Sequence, residues 1–251
     1  MDEGGRVARL TIGSGSRRNA LTAGGWVGIE RAIHAMAADA DLRAVVIEGA
    51  AGGFCAGSDI REWVQATPEV VEQSFARMEA ACTAIEALAV PVIAKVRGAA
   101  AGAGCQLALA CDMRILADNA TIGMPIALLG ILVSPAFANR LTVHAGAAVA
   151  RELLYTGRMV GAPEAVRLGL ANACLPGDEL DGHVDGVLDS ILRASAPAIR
   201  AAKRAVAVVE APGRTAATAA ATAGAVATGD FSRGIDAFLH RRHVWAAKAG
   251  R

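Results

Sequence analysis

The sequence predicts a mostly parallel α/β core followed by an α-helical C-terminal region. Strand and helix signals alternate through the first half of the chain, the order that builds parallel sheets. After about Asp178 the signals are almost all helical. Of the 251 residues, 54% are hydrophobic, 20% charged and only 4% aromatic, which excludes disorder and requires a core of aliphatic side chains and alanine.

The elements follow in order. Val7 to Ile12 is a short apolar run closed by the turn-rich Gly13-Ser14-Gly15-Ser16. Trp26, Ile29, Ile33 and Met36 then recur at helical spacing. Ala44 to Ile47 reads as a strand that ends in the loop Gly49-Ala50-Ala51-Gly52-Gly53. Thr67-Pro68-Glu69 has the makings of a helix start: a capping hydroxyl, a proline in the first turn and an acid near the positive dipole end. That helix presents Phe75, Met78, Cys82 and Ile85 on one face and stops at Pro91. Val92 to Val96 is the next strand, and a Gly/Ala-rich turn leads into a buried helix over Cys105 to Cys111. Met113 to Leu116 and Thr121 to Gly123 are further short strands. An alanine-dense stretch from Arg214 to Thr228 and an amphipathic segment from Phe231 to Lys248 complete the helical part. The composition shift places the domain boundary near Pro197, giving a core over 1–196 and a helical region over 197–251.

Several function classes are excluded at this level. A formal net charge of +1 argues against general nucleic-acid binding or attachment to an anionic membrane. Asn119 to Asn139 carries no charge and is long enough to span a bilayer, but Gly123, Pro125, Gly130 and Pro135 interrupt it. It reads as interior, lining a pocket. Cys55, Cys82, Cys105, Cys111 and Cys174 show neither a CxxC pair nor a histidine at ligand spacing, so they read as reduced thiols of a cytoplasmic protein with no metal site. Asp2 and Glu3 follow Met1 with no apolar run, so no signal peptide is expected.

Two small-residue turns are the candidate site. Phe54-Cys55-Ala56-Gly57-Ser58-Asp59-Ile60 follows a strand, and Gly98-Ala99-Ala100-Ala101-Gly102-Ala103-Gly104-Cys105-Gln106 links a strand to the buried helix. Both leave backbone N–H groups uncovered by bulk, and the second sets them at a helix N-terminus, which favours negative charge. Converging on one point, the turns would form an oxyanion hole; as separate features they would be packing devices. Neither has the Gly-Lys-Ser/Thr ending of a P-loop or a Gly-x-Gly-x-x-Gly fingerprint with an acid downstream.

These motifs, with others in fixed order, resemble the crotonase (enoyl-CoA hydratase/isomerase) superfamily over nearly the whole chain. The matching pieces are Arg18-Asn19-Ala20-Leu21, Phe54 through Ile60, Pro91-Val92-Ile93-Ala94, Gly98 through Gln106 and Cys111-Asp112. Ile122-Gly123-Met124-Pro125, Leu129-Gly130-Ile131, Thr156-Gly157-Arg158, Gly169-Leu170 and the tail Ala237-Phe238-Leu239-His240-Arg241-Arg242 continue the series. The resemblance implies a ββα spiral core that binds an acyl-CoA thioester, with coenzyme A as part of the substrate and no separate cofactor. It also implies a C-terminal helical region that supports homotrimers or pairs of trimers. By motif position, the thioester oxygen would be held by the backbone N–H groups of Ser58 and Ala103. Ala20, Ala56, Asp59, Ile60, Arg61 and Gly102 would line the substrate, and Arg18 with Arg241 or Arg242 would contact the CoA phosphates and adenine. Those arginines equally suit a solvated surface.

The departures from the family pattern bear on the reaction. The two glutamates with which hydratases position water and deliver a proton fall at Gln106 and Ile126, and a third acidic position falls at about Ser134. Glutamine cannot act as a carboxylate base and isoleucine neither orients nor ionises. Glu79, at the edge of an apolar helix face, is the candidate relocated base, against the plainer role of a surface glutamate. Glu62 is a weaker candidate, and His144, beyond Arg140 at a helix start, reads as a surface or capping group before a catalytic one. The expectation is therefore isomerisation or decarboxylation through a thioester enolate. The alternatives are a catalytically silent acyl-CoA-binding paralogue or partner subunit and, third, an atypical enoyl-CoA hydratase.

Overall fold

The computed structural model describes residues 6–219 and 229–240, with 211–219 as helical backbone only. Strand β1 (Val7–Ile12) leads through a turn at Ser16–Asn19 into helix α1 (Ala23–Ala37). The Thr22 side chain caps α1 by accepting from the Gly25 N–H at 3.1 Å, and the helix buries Trp26, Ile29 and Ile33 as their spacing requires. Strand β2 (Ala44–Gly49), helix α2 (Pro68–Ala87) and strand β3 (Val92–Val96) follow. Thr67 precedes α2 as expected, but its hydroxyl does not cap the helix. It hydrogen-bonds the Glu69 carboxylate instead, holding that acid below its ordinary range.

After β3 the chain steps between two sheets. Strand β4 (Ala99–Ala101), helix α3 (Ala103–Ala110), strand β5 (Met113–Ala117) and strand β6 (Thr121–Gly123) alternate between them. Beyond a turn at Pro125–Leu129 come helix α4 (Pro135–Thr156), strand β7 (Met159–Gly161), helix α5 (Ala162–Arg167) and strand β8 (Ala173–Leu175). Helices α6 (Leu180–Arg193), α7 (Ala196–Ala219) and α8 (Gly229–Leu239) end the described chain. The larger sheet runs β1-β2-β3-β5-β8 with every neighbouring pair parallel; in the smaller, β4 pairs parallel and β7 antiparallel with β6.

The expected parallel α/β core with a helical C-terminal part is what forms. A central strand buried on both faces reads as a continuous apolar run, which is why β2 and β3 are fully legible. The uncharged 119–139 stretch divides among β6, the turn at Pro125–Leu129 and the start of α4, and no helix among the described residues is long and apolar enough to cross a membrane. The buried helix starts two residues earlier than expected, at Ala103, and ends one residue earlier, before Cys111. The amphipathic segment expected over 231–248 is helical from Gly229 to Leu239, and its remainder, with Arg241 and Arg242, lies outside the described residues.

Candidate active site

The two small-residue turns meet. The Cys55 N–H donates to the Ala99 carbonyl at 3.0 Å and the Ala101 N–H to the Cys55 carbonyl at 3.1 Å, so the first turn is stitched onto β4. A Cβ on Gly104 would collide with the Cys55 carbonyl, so helix α3 approaches the first turn at a distance only glycine permits. Gly57 has φ 99°, and a Cβ there would lie 2.7 Å from the Ala101 carbonyl oxygen and 3.3 Å from the Ala103 nitrogen.

Hydrogen bonds on the preceding carbonyls set the direction of two N–H groups. In a planar trans peptide the N–H points opposite to the C=O it is bonded to. The Gly57 carbonyl accepts from the Leu21 N–H at 2.8 Å, which turns the Ser58 N–H away from Leu21. The Gly102 carbonyl accepts from the Gln106 N–H at 3.1 Å, which points the Ala103 N–H out of the α3 N-terminus. Neither N–H has a partner among the described residues. Ser58 and Ala103 both line one cavity of about 950 Å³. The Ser58 hydroxyl is turned away from such a role, accepting from the indole N–H of the fully buried Trp26 at 3.1 Å.

A strained loop braces the first turn. Arg17, Arg18 and Asn19 lie consecutively in the left-handed region at φ 50°, 53° and 56°. Buried Asn19 holds them there, accepting from the Gly15 N–H at 2.8 Å and donating to the Ala50 carbonyl at 2.8 Å. From this loop the Arg18 carbonyl accepts from the Ala56 N–H, and Arg17 pairs with the buried Asp59 carboxylate at 2.5 Å. Asp59 also accepts from the Arg61 N–H at 3.2 Å.

Arg18, Ala20, Ala56, Asp59, Ile60, Arg61, Gly102 and Ile126 all lie on the cavity wall. Glu79, Gln106 and Ser134 do not. Ser134 caps α4, its hydroxyl accepting from the Phe137 N–H at 3.2 Å. Gln106 is fully buried behind the wall, its amide donating to the Phe137 carbonyl at 3.3 Å. Glu79 is bound through both carboxylate oxygens to Arg140, at 2.5 and 2.8 Å. Glu62 accepts from the Ala23 N–H at 2.8 Å.

Arg140 is the residue that sequence reasoning missed. Its side chain is 6% exposed and also reaches Glu86 at 2.6 Å and the Gln106 carbonyl oxygen at 3.3 Å. One guanidinium thus collects residues of α2 and α3 that the resemblance singles out separately. The available signal was a lone arginine directly after a long uncharged stretch. His144, one turn further along α4, is partly buried rather than a surface or capping group. Burial first, and the nearby Arg114 second, push its pKa down to about 4. Its Nε2–H then donates to the Leu109 carbonyl at 3.1 Å while Nδ1 faces Arg114. The aromatic wall was also missed: Trp63 and Phe75 meet edge-on at 5.3 Å, and Phe231 of α8 lies 6.1 Å from Trp63. Among the described residues no three histidine, cysteine, aspartate or glutamate side chains cluster as metal ligands. Burial drives the Cys55, Cys82 and Cys105 thiols up to about 12, so they serve as packing groups and not as nucleophiles.

The two-sheet spiral with a pocket at its paired turns is the architecture of crotonase-fold proteins. A family model described as enoyl-CoA hydratase/isomerase matches residues 2–248. The chain belongs to the enoyl-CoA hydratase/isomerase family. It is 37% identical over 175 residues to "Probable enoyl-CoA hydratase echA8" of Mycobacterium bovis, covering 70% of this chain and 67% of that protein. It is 36% identical over 163 residues to "Probable enoyl-CoA hydratase 2, mitochondrial" of Arabidopsis thaliana, covering 64% of this chain and 54% of that protein. The match thus spans between about half and two thirds of these curated relatives. The crystal structure of an enoyl-CoA hydratase from Mycobacterium avium subsp. paratuberculosis superposes with a TM-score of 0.83 at 28% identity, over 95% of this chain and 94% of that one.

Proposed function

We propose that this chain binds an acyl-CoA thioester, polarises its carbonyl oxygen with the Ser58 and Ala103 N–H groups, and so stabilises the thioester enolate. Two N–H groups without a described partner, on one cavity wall, support this reading. Isomerisation and decarboxylation both pass through that enolate. Hydration also needs carboxylates to activate water, and the family positions for them carry Gln106 and Ile126.

Of the two enolate reactions, decarboxylation is the better supported, and one observation carries the preference. Among the described residues the only carboxylate lining the cavity is Asp59, and it is engaged by Arg17 and the Arg61 N–H. Glu79, the candidate relocated base, is bound to Arg140 off the wall. Loss of CO₂ from a malonyl-type thioester needs no base to form the enolate. The bond between the α-carbon and the carboxylate breaks, its electron pair passes to the α-carbon and thioester oxygen, and water returns the proton. The apolar wall of Phe75, Met78, Ile126, Ile131 and Phe137 favours departing CO₂ over a charged carboxylate. No metal or redox group enters this scheme, and coenzyme A is part of the substrate.

The second reading is a silent acyl-CoA-binding paralogue, which the same shortage of free acid–base groups favours. For either, Arg18 at the cavity wall is the described candidate for the CoA phosphates. Homotrimers or pairs of trimers are proposed for the assembly, supported by the exposed Val206, Val208 and Val209 on α7. A cytoplasmic location is proposed from the five unpaired cysteines.

Mass spectrometry of malonyl-, enoyl- and saturated acyl-CoA thioesters incubated with the protein in D₂O separates these readings. Lost CO₂ with deuterium at the α-carbon is the expected result. A shifted double bond would assign isomerisation instead. Thioesters that bind but return unchanged would leave the silent paralogue.

A further inference from the structure

The cavity has an aromatic wall with a donor that no described residue satisfies. Trp63 is 6% exposed, and its indole Nε1–H is buried with no hydrogen-bond partner among the described residues. Buried indole N–H groups ordinarily find an acceptor, because leaving one unmet forfeits the hydrogen bond it made to water when exposed. Trp26, the other tryptophan of this site, obeys the rule by donating to the Ser58 hydroxyl. Trp63 stands apart in being both part of the cavity lining and unpaired.

Its described surroundings explain why no side chain among them fills the role. Phe75 meets the ring edge-on and Phe231 packs at a tilt, and neither carries a side-chain acceptor. The lining side chains Ile60, Met78 and Phe137 carry no oxygen either. The ring sits on a single tight turn, Ile60–Trp63, which leaves the segment at Gln65 in the left-handed region at φ 63°. Nε1 is buried in this apolar wall, on a short irregular segment and not on a core helix, so an occupant meets it only when the ring turns toward the cavity that its residue lines.

We infer that Trp63 is a specificity-determining residue, its indole N–H donating to an oxygen carried on the acyl group beyond the thioester. The substrate class is then an oxygenated acyl-CoA, with a carboxylate or a keto group, over a plain alkanoyl-CoA. This rests on the acyl-CoA reading above and sharpens it. A carboxylate held by one neutral donor in an apolar pocket is recognised without the ionic partner that would stabilise it against loss as CO₂.

The test is calorimetric binding of butyryl-, acetoacetyl- and succinyl-CoA to the full chain and to Trp63→Phe. In the wild type, the affinity for at least one oxygenated thioester relative to butyryl-CoA should exceed that of Trp63→Phe by about fivefold. Which oxygenated thioester loses affinity distinguishes carboxylate from keto recognition. Replacing Trp63 by benzothienylalanine, which exchanges only the N–H for sulfur, gives the same comparison should the phenylalanine variant not fold. An unchanged ratio in a folded variant overturns the role of Trp63 while leaving thioester binding in place. Failure of every thioester to bind the wild type overturns the acyl-CoA reading itself, and this inference with it.

Discussion

Gly57→Ala tests the paired-turn site at its tightest point. The added methyl would lie 2.7 Å from the Ala101 carbonyl oxygen and 3.3 Å from the Ala103 nitrogen, where ordinary contact begins at 3.4 Å. Roughly 0.7 Å of separation must therefore be created between the turns that carry the Ser58 and Ala103 N–H groups. Alanine at φ 99° adds backbone strain of about 1–2 kcal/mol. Displacement of that order at a reacting centre lowers rates by ~10²-fold, comparable to losing one oxyanion-hole donor. The assay is deuterium incorporation at the α-carbon, or CO₂ release, from the thioester that the wild type turns over, with folding checked by urea denaturation. Gly52→Ala is the control: its φ is 72°, but no atom lies within 4 Å of the new Cβ, so it should lose about 1 kcal/mol of stability and keep its activity. A folded Gly57→Ala protein with turnover within about threefold of wild type would refute the claim that these N–H groups act as a pair.

Other perturbations address the groups around the pocket. Arg140→Met leaves Glu79 and Glu86 without their cation and Gln106 without its donor, and should cost about 3–5 kcal/mol in urea unfolding. Gln106→Glu should not create hydratase activity towards crotonyl-CoA, because this side chain is off the cavity wall and Ile126 stays apolar; appearance of 3-hydroxybutyryl-CoA would revive the hydratase reading. His144 has a folded pKa of about 4, below the ordinary 6.5, so only the unfolded chain takes up its proton between those values. Stability should therefore fall as pH drops below about 6.5, by about 2 kcal/mol between pH 7 and 5, and His144→Leu should remove that part of the slope.

The larger sheet was legible except for its three-residue edge strand β8, because its central strands are continuous apolar runs that burial on both faces requires. Of the smaller sheet only β6 was legible, as Thr121 to Gly123; β4 and β7 are three residues each, too short for any period to register. Helix α4 went unread beyond its start because Gly146, at φ 76° and ψ 160°, breaks it in the middle and the first half lacks the usual charged face. The small-residue turns were visible as composition, and their family resemblance was carried by short motifs in fixed order, so the family could be read from the chain alone.

The state of each acid–base candidate could not be read in that way. Glu79 looked like a carboxylate at an apolar edge, and Gln106 like a residue in a catalytic position. Whether either reaches the cavity depends on Arg140, which lies 61 and 34 positions away in the chain and joins both through space. The unpaired Trp63 indole is likewise a fact about neighbours. Local sequence specifies propensity, period and turn chemistry, because these depend on residues a few positions apart. Which charges meet, and which donor is left without an acceptor, is decided only when helices distant in sequence pack together.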